Sequence, residues 1–246
     1  MPLRRSRNQK VPAALDDAEV PMNLGLVRNA SADNYHTWLY DLAEPHLGPT
    51  CLEIGSGRGD LTEYLARGRK LDASDISEQF VAVLEERFAG SDNVTVQRLD
   101  MATFVPDRSY DSIVMMNVLE HIEDDAAALD TLRKALNPGG RLVVYVPAFM
   151  LLYSDFDRDI GHFRRYRKPE LCRLMEHSGY EVVDSRYVNS VGAVGWFGYS
   201  RVLGRKPSDQ LTVSACDRIV VPVVRRIEQK FPPPFGLSVL VVGRVP

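Results

Sequence analysis

The chain has 246 residues, 45% of them hydrophobic and 26% charged, with a formal net charge of -3 at pH 7. That length and balance suit one large soluble α/β domain rather than two independent ones, and exclude the strongly basic footprint of a nucleic-acid-binding protein. Cys51, Cys172 and Cys216 are the only cysteines and stand far apart, so neither a disulfide framework nor a metal site is expected, and the cytoplasm is the expected setting.

Residues 1–33 read as a flexible, proline-interrupted arm (Pro2, Pro12, Pro21) that becomes ordered over a ligand. Arg4, Arg5, Arg7 and Lys10 are not followed by an apolar stretch, so no secretory leader is expected, and no run is long enough for stable membrane insertion. From Asn34 onward, Tyr35, Trp38, Leu39, Leu42 and Leu47 predict an amphipathic helix. Cys51 to Ile54 is a short apolar run of buried-strand length, and Leu61 and Leu65 mark a short helix after it. Between them Gly55, Gly57 and Gly59 alternate through a turn, where missing Cβ atoms permit positive φ and close ligand approach. The following helix aims its free N–H groups back at that turn. Asp75 lies 20 residues beyond Gly55 at the end of the next strand-like segment, where an acid receives ribose hydroxyls. The unit reads as a nucleoside-binding βαβ half.

Ser77 then serves as N-cap of a helix with Phe80, Val81, Leu84 and Phe88 on its period. Val94 to Leu99 is a third strand ending in Asp100-Met101, and Tyr110 to Met116 a fourth running into Asn117-Val118-Leu119-Glu120-His121. Asp124 and Asp125 precede a helix carrying Leu129, Leu132 and Leu136, which Asn137-Pro138-Gly139-Gly140 is expected to stop. Arg141 to Pro147 forms the fifth strand, Glu170 to Ser178 a helix and Glu181 to Val188 the sixth strand. Residues 189–235 interrupt the alternation with Trp196, Phe197, Tyr199, a polar patch at Arg205 to Asp209 and a helical VVPVVRRIEQKF, before Leu237 to Val245 supplies the seventh strand. Strands alternating with helices predict a doubly wound, Rossmann-like, mostly parallel sheet of seven strands.

A dinucleotide fingerprint would need glycine at position 60, which is Asp60. The pattern Glu53-x-Gly55-x-Gly57-x-Gly59 instead resembles motif I of the class I S-adenosylmethionine-dependent methyltransferases. Asp75, Asp100, the NVLEH run at 117–121 and the NPGG run at 137–140 fall in that family's order, so the resemblance covers about residues 34–185. A Gly161-His162-x-Arg164-Arg165-Tyr166 segment is similar to one that marks a bacterial subset of the family. There is no Asn/Asp-Pro-Pro-Tyr after strand four and no Pro-Cys pair, which sets aside the classes acting on adenine or cytosine amino groups or glutamine amides and the cytosine-C5 class.

The resemblance implies S-adenosylmethionine as cofactor, strand seven antiparallel, a helical lid or homodimer contact inserted between strands six and seven, and a small-molecule acceptor methylated on O, N or C by in-line displacement. It implies cofactor binding by Tyr35, Glu53, Gly55, Gly57, Gly59, Asp75, Ile76, Asp100, Met101, Asn117 and Leu119. The segment after strand five leaves the end of the sheet where ligand crevices open. Its His162, with an ordinary pKa near working pH, and Tyr166 are the expected catalytic residues. Trp38, His121, Tyr153, Asp155, Arg165 and Trp196 are expected to meet the acceptor, with Arg164, Arg165, Arg167 and Lys168 available for an anionic one. An NAD-type oxidoreductase and a non-catalytic cofactor-binding protein are the rival readings.

Overall fold

The computed structural model describes residues 32–198 and 210–246. All but the last two residues of the expected N-terminal arm, together with Tyr199 and the patch at Arg205 to Asp209, lie outside the described residues.

Seven strands are present: β1 Thr50–Ile54, β2 Lys70–Asp75, β3 Val94–Arg98, β4 Tyr110–Met116, β5 Leu136–Pro147, β6 Glu181–Val188 and β7 Ser238–Arg244. They form one sheet in the order β3-β2-β1-β4-β5-β7-β6. The first five are parallel, and β7 runs antiparallel between β5 and β6. The expected seven-stranded, doubly wound architecture is therefore the observed one. The chain builds outward from β1 to β3, then β4 returns to the other side of β1. Strand order thus reverses between β1 and β4, and this switch point is where such sheets open a crevice at the carboxyl ends of their strands.

The described helices are α1 Asp33–Ala43, α2 Thr62–Leu65, α3 Glu78–Phe88, α4 Asp125–Lys134, α5 Asp155–Asp159, α6 Lys168–His177, α7 Ser190–Trp196 and α8 Gln210–Lys230. None of them is long and apolar enough to cross a membrane. Alternation along each strand divides the core in two. Leu52, Ile54, Ile113, Met115, Leu142 and Val144 face one way, onto Leu129 and Leu132 of α4 and Leu171 and Met175 of α6. Cys51, Val114, Val143, Tyr145 and Leu240 face the other, onto Trp38, Leu39 and Leu42 of α1, Leu65 of α2 and Val224 of α8. Each such side chain contributes about 1.5–3 kcal/mol when fully buried.

Several local expectations are corrected. Leu47 lies beyond α1, after a 3-10 turn at Glu44–His46. Leu136 is not on α4 but opens β5, paired with Tyr110, and Asn137 to Gly140 belong to that strand as an irregular start. Two bonds between Gly139–Gly140 and Val245 tie this start to the chain end. Ser77 occupies the N-cap of α3 without a side-chain cap bond, and its buried Oγ meets no partner among the described residues.

The insertion is helical, and α8 braces two other helices from afar. Ala32, the N-cap of α1, has no capping side chain. Asp217 of α8 does that work, accepting from Tyr35 N at 2.9 Å and from Asn34 N at 3.2 Å. Glu228 receives Asn189 N and Ser190 N, both at 2.8 Å, at the start of α7. Orphan N–H groups at a helix start need such acceptors. Asp217, Val224 and Glu228 are spaced 7 and 4 apart, which places them on one helix face.

Candidate active site

The turn after β1 is built from two constraints. Gly55 has φ +74° and a Cβ there would lie 2.4 Å from Val118 Cγ2, so the turn packs directly on the segment that follows β4. Gly59 has φ +82° and sits against Leu84 and Phe88 of α3. Gly55 N and Ser56 N donate to Ser74 O at 2.9 and 2.8 Å, fastening the turn to β2. Glu53 is buried beneath it, accepting from Ser56 Oγ at 2.9 Å and Thr62 Oγ1 at 2.6 Å. Burial pushes its carboxyl up to about 7, against the opposing pull of those two hydroxyls.

Asp75 ends β2 beside this turn. Its Oδ2 accepts Gly57 N and its Oδ1 accepts Ser77 N, each at 2.9 Å. Burial raises its pKa and these backbone donors oppose the rise. Each oxygen keeps a further lone pair for a ligand hydroxyl. Ile76, next in line, is 50% exposed and offers an apolar surface. At the end of β3, Asp100 is half-buried with Oδ1 on Ala102 N at 2.9 Å, and Met101 packs against the core. Asn117, exposed after β4, has φ +56° and donates its N–H to Tyr145 O at 2.7 Å. Positive φ in a non-glycine residue marks a constrained site. The carboxyl ends of β3, β2, β1 and β4 thus carry, in that order, Asp100, Asp75, the glycine turn and Asn117. The chemistry of this row suits S-adenosylmethionine: two carboxylates able to accept from hydroxyl and amino donors stand beside a turn that has no Cβ at Gly55 or Gly57.

Tyr35 reaches the same region from α1, its hydroxyl 3.1 Å from that of Tyr145. Burial raises the Tyr35 pKa, and the Glu120 charge adds to the rise. Two expectations are overturned by burial. Trp38 is 1% exposed within the core between α1 and the sheet, and the Leu119 side chain is fully enclosed on the other face, so neither presents a surface to a ligand.

The segment after β5 folds around Asp157. This residue is fully buried and accepts Arg165 Nε at 2.7 Å, Arg165 Nη2 at 3.0 Å and His162 Nδ1 at 2.9 Å. Burial alone would raise its pKa, but the His162 and Arg165 hydrogen bonds prevail and hold it at about 2. Two members of the expected basic cluster are consequently spent on partners within the protein, whereas Arg167 stays exposed. Arg165 is locked to Asp157 and lies 5.4 Å over the Trp196 ring, while Arg164 pairs with Asp125 at 2.8 Å. Tyr166 is also turned inward, donating to Asp125 at 2.8 Å, and burial drives its pKa far up, which removes it as a proton acceptor. Tyr153 donates to His162 O at 2.7 Å and so holds the backbone of that histidine. Asp155 points outward in an ion pair with Arg158. Trp196 of α7 donates to Leu152 O at 3.0 Å and packs edge-on against Phe156, docking the insertion onto this segment.

What the structure does bring together is His162, His121 and Glu120. The two imidazoles meet edge to face with centroids 4.6 Å apart. Glu120 Oε1 lies 3.7 Å from His162 Nε2, and neither Glu120 oxygen meets a hydrogen-bond partner from another described residue. Burial pushes Glu120 up to about 8, with its own backbone N–H and Arg165 opposing. Burial, with the neighbouring His162 adding to it, lowers His121 to about 4. The chain offers Glu120 within the NVLEH run and Asp157 within the polar stretch after β5, without assigning a role to either. Ser154-x-x-Asp157 was a readable capping pattern, since Ser154 N donates to Asp157 Oδ2 at 2.8 Å. An acid directly before a histidine at a strand end was the available signal for Glu120.

Comparison with known proteins agrees with this edge. Residues 27–185 match the family described as Methyltransferase domain. A probable S-adenosylmethionine-dependent methyltransferase from Mycolicibacterium smegmatis is 30% identical over 148 residues, covering 58% of this chain and 56% of that protein. A ubiquinone biosynthesis O-methyltransferase from Xylella fastidiosa is 28% identical over 159 residues (57% and 64% coverage). A demethylmenaquinone methyltransferase from Clavibacter sepedonicus is 34% identical over 148 residues (57% and 58%). The chain spans little more than half the length of these curated relatives. Among solved structures, the N-methyltransferase NodS from Bradyrhizobium japonicum, in complex with S-adenosyl-L-homocysteine, superposes with TM-score 0.57 at 19% identity, covering 89% of each chain. The chain belongs to the class I S-adenosylmethionine-dependent methyltransferase family.

Proposed function

We propose that the protein transfers a methyl group from S-adenosylmethionine to an O, N or C atom of a small-molecule acceptor. The observation that carries this reading is the hydrogen bond joining Asp75, at the end of β2, to Gly57 in the turn after β1. When bound, the cofactor supplies an electrophilic methyl group on a positively charged sulfur. Asp75 receives the ribose hydroxyls, Ile76, Asp100 and Met101 the adenine, and Asn117 borders the reacting centre. Glu53 acts one layer below, fixing the turn through Ser56 and Thr62. Much of the rate enhancement comes from holding methyl and acceptor at near-attack distance, about 3–3.5 Å. The acceptor end of the site is assigned to His121 and His162, with the enclosed Glu120 behind them and Asp157 on Nδ1 leaving the Nε2 lone pair of His162 free. Relatives named for ubiquinone biosynthesis and for demethylmenaquinone support a small-molecule acceptor.

An NAD-type reading is disfavoured at position 60, where Asp60 is held by Arg87 at 2.7 Å instead of a glycine. Titration calorimetry with S-adenosylhomocysteine and, in parallel, NADH tests the choice. Micromolar binding of the first alone, weakened at least tenfold in Asp75→Ala, is expected; binding of NADH alone, or of neither, refutes the reading. The insertion is assigned a contact role, supported by the exposed Ile219, Val223 and Ile227 along the outer face of α8 and by the exposed Phe231 just beyond its end. A second copy of the chain is the proposed partner, and a monomer mass by sedimentation equilibrium would remove it.

A further inference from the structure

The acceptor end contains a grouping whose buried carboxylate the positioning of an acceptor does not account for. Glu120 is fully enclosed, and both carboxylate oxygens lack a hydrogen bond from any other described residue. A buried carboxylate without partners is costly, and proteins resolve this with a cation or with protonation. The nearest fixed cation, Arg165, is already committed to Asp157 by two hydrogen bonds. One ligand-type atom from each of Glu120, His121 and His162 lies within 4.8 Å of the other two.

We propose that Glu120, His121 and His162 form a binding site for a divalent first-row transition cation. Two imidazoles and one carboxylate are the donor set preferred by zinc and its neighbours rather than by magnesium or calcium. The separation of Glu120 Oε1 from His162 Nε2, 3.7 Å, is too long for a hydrogen bond. Two ligands each about 2.0–2.2 Å from a shared ion stand roughly 3–3.5 Å apart, so a few tenths of an ångström of side-chain movement closes this pair, and the third group, within 4.8 Å of both, closes with a shift of up to about 1–2 Å.

The surroundings are those of an oriented ligand set. Asp157 accepts from His162 Nδ1 at 2.9 Å, which places the proton on that nitrogen and turns the Nε2 lone pair towards Glu120. His121 Nδ1 lies beside Gly161, where a Cβ added to the glycine would stand 3.8 Å away. A carboxylate or carbonyl behind each ligating histidine is the usual means of fixing its tautomer and ring plane. Three protein ligands leave coordination positions open, as in catalytic rather than structural sites. The open positions would hold an acceptor oxygen, such as a phenol or enol, beside the row that binds the cofactor. That last role rests on the methyltransferase reading; the binding of the ion does not.

The test uses the full chain, stripped with chelator and titrated with cobalt(II), whose visible absorption reports nitrogen and oxygen ligation. Wild type is expected to take up one ion per chain with a visible band. Glu120→Gln and His162→Gln are each expected to lose the band and to bind at least tenfold more weakly, and Asp157→Asn to weaken binding by about tenfold or more. S-adenosylhomocysteine affinity is measured on every sample, and near-wild-type values show that the variants fold. If Glu120→Gln does not melt cooperatively, His121→Gln carries the same expectation. A wild-type chain that binds the nucleoside but no cobalt, or a band that survives both Glu120→Gln and His162→Gln, overturns the site. A chain that binds cobalt but no nucleoside keeps the metal site and refutes the methyltransferase reading instead.

Discussion

Replacing Gly55 by alanine probes the joint between the glycine turn and the segment carrying Glu120 and His121. The backbone at Gly55 has φ +74°, a conformation that costs an L-residue about 1–2 kcal/mol. The added Cβ would also stand 2.4 Å from Val118 Cγ2, an overlap that must be relieved by movement of the turn or of Val118. Overpacking of this kind costs about 1–3 kcal/mol, so the single substitution should destabilise by roughly 2–5 kcal/mol in total. The steric part is separable, because Val118→Ala removes the offending methyl and leaves φ unchanged. In a double-mutant cycle followed by urea unfolding, Val118→Ala should therefore recover about 1–3 kcal/mol of the Gly55→Ala loss, and the backbone part should remain. Nucleoside affinity measured by calorimetry should follow the same order, with the double variant tighter than Gly55→Ala. A coupling energy under about 0.5 kcal/mol would show that the turn does not press on Val118 and would refute the reasoning.

Asp217→Ala should destabilise by about 1–3 kcal/mol, because it strips the N-terminus of α1 of the side-chain acceptor for Tyr35 N and Asn34 N. A loss below about 0.5 kcal/mol in urea titration would mean that α1 is held by its apolar face alone. The pH dependence of stability should carry the signature of Asp157, whose folded pKa of about 2 lies below its ordinary 3.8. A depressed carboxyl pKa stabilises the fold above the unfolded value, and that contribution, about 2 kcal/mol, is lost as pH falls from about 4 through 2. Melting temperatures of Asp157→Asn should start lower and fall less steeply over that interval; parallel curves for the two proteins would sink the assignment.

The strand ends that carry Asp75 and Asp100, the glycine turn and the count of seven strands in a mostly parallel sheet were legible from the chain itself. They depend on local rules: an apolar run of strand length, positive φ at glycine and the alternation of strands with helices. Boundaries failed where pairing partners outvoted local punctuation, as at Asn137 to Gly140, which join β5 because Tyr110 and Val245 supply their bonds. Side-chain roles after β5 were decided only by the folded structure. Arg165, Tyr166 and Trp38 carry chemistry that suits a ligand, yet each is turned inward, towards Asp157, Asp125 and the α1 core. The buried Glu120 and the helix-bracing Asp217 act across long separations, Asp217 meeting Tyr35 182 residues away. Sequence establishes which groups are available and at what period they recur; the direction in which a charged side chain is turned depends on which partner desolvation leaves within reach, and only tertiary packing sets that.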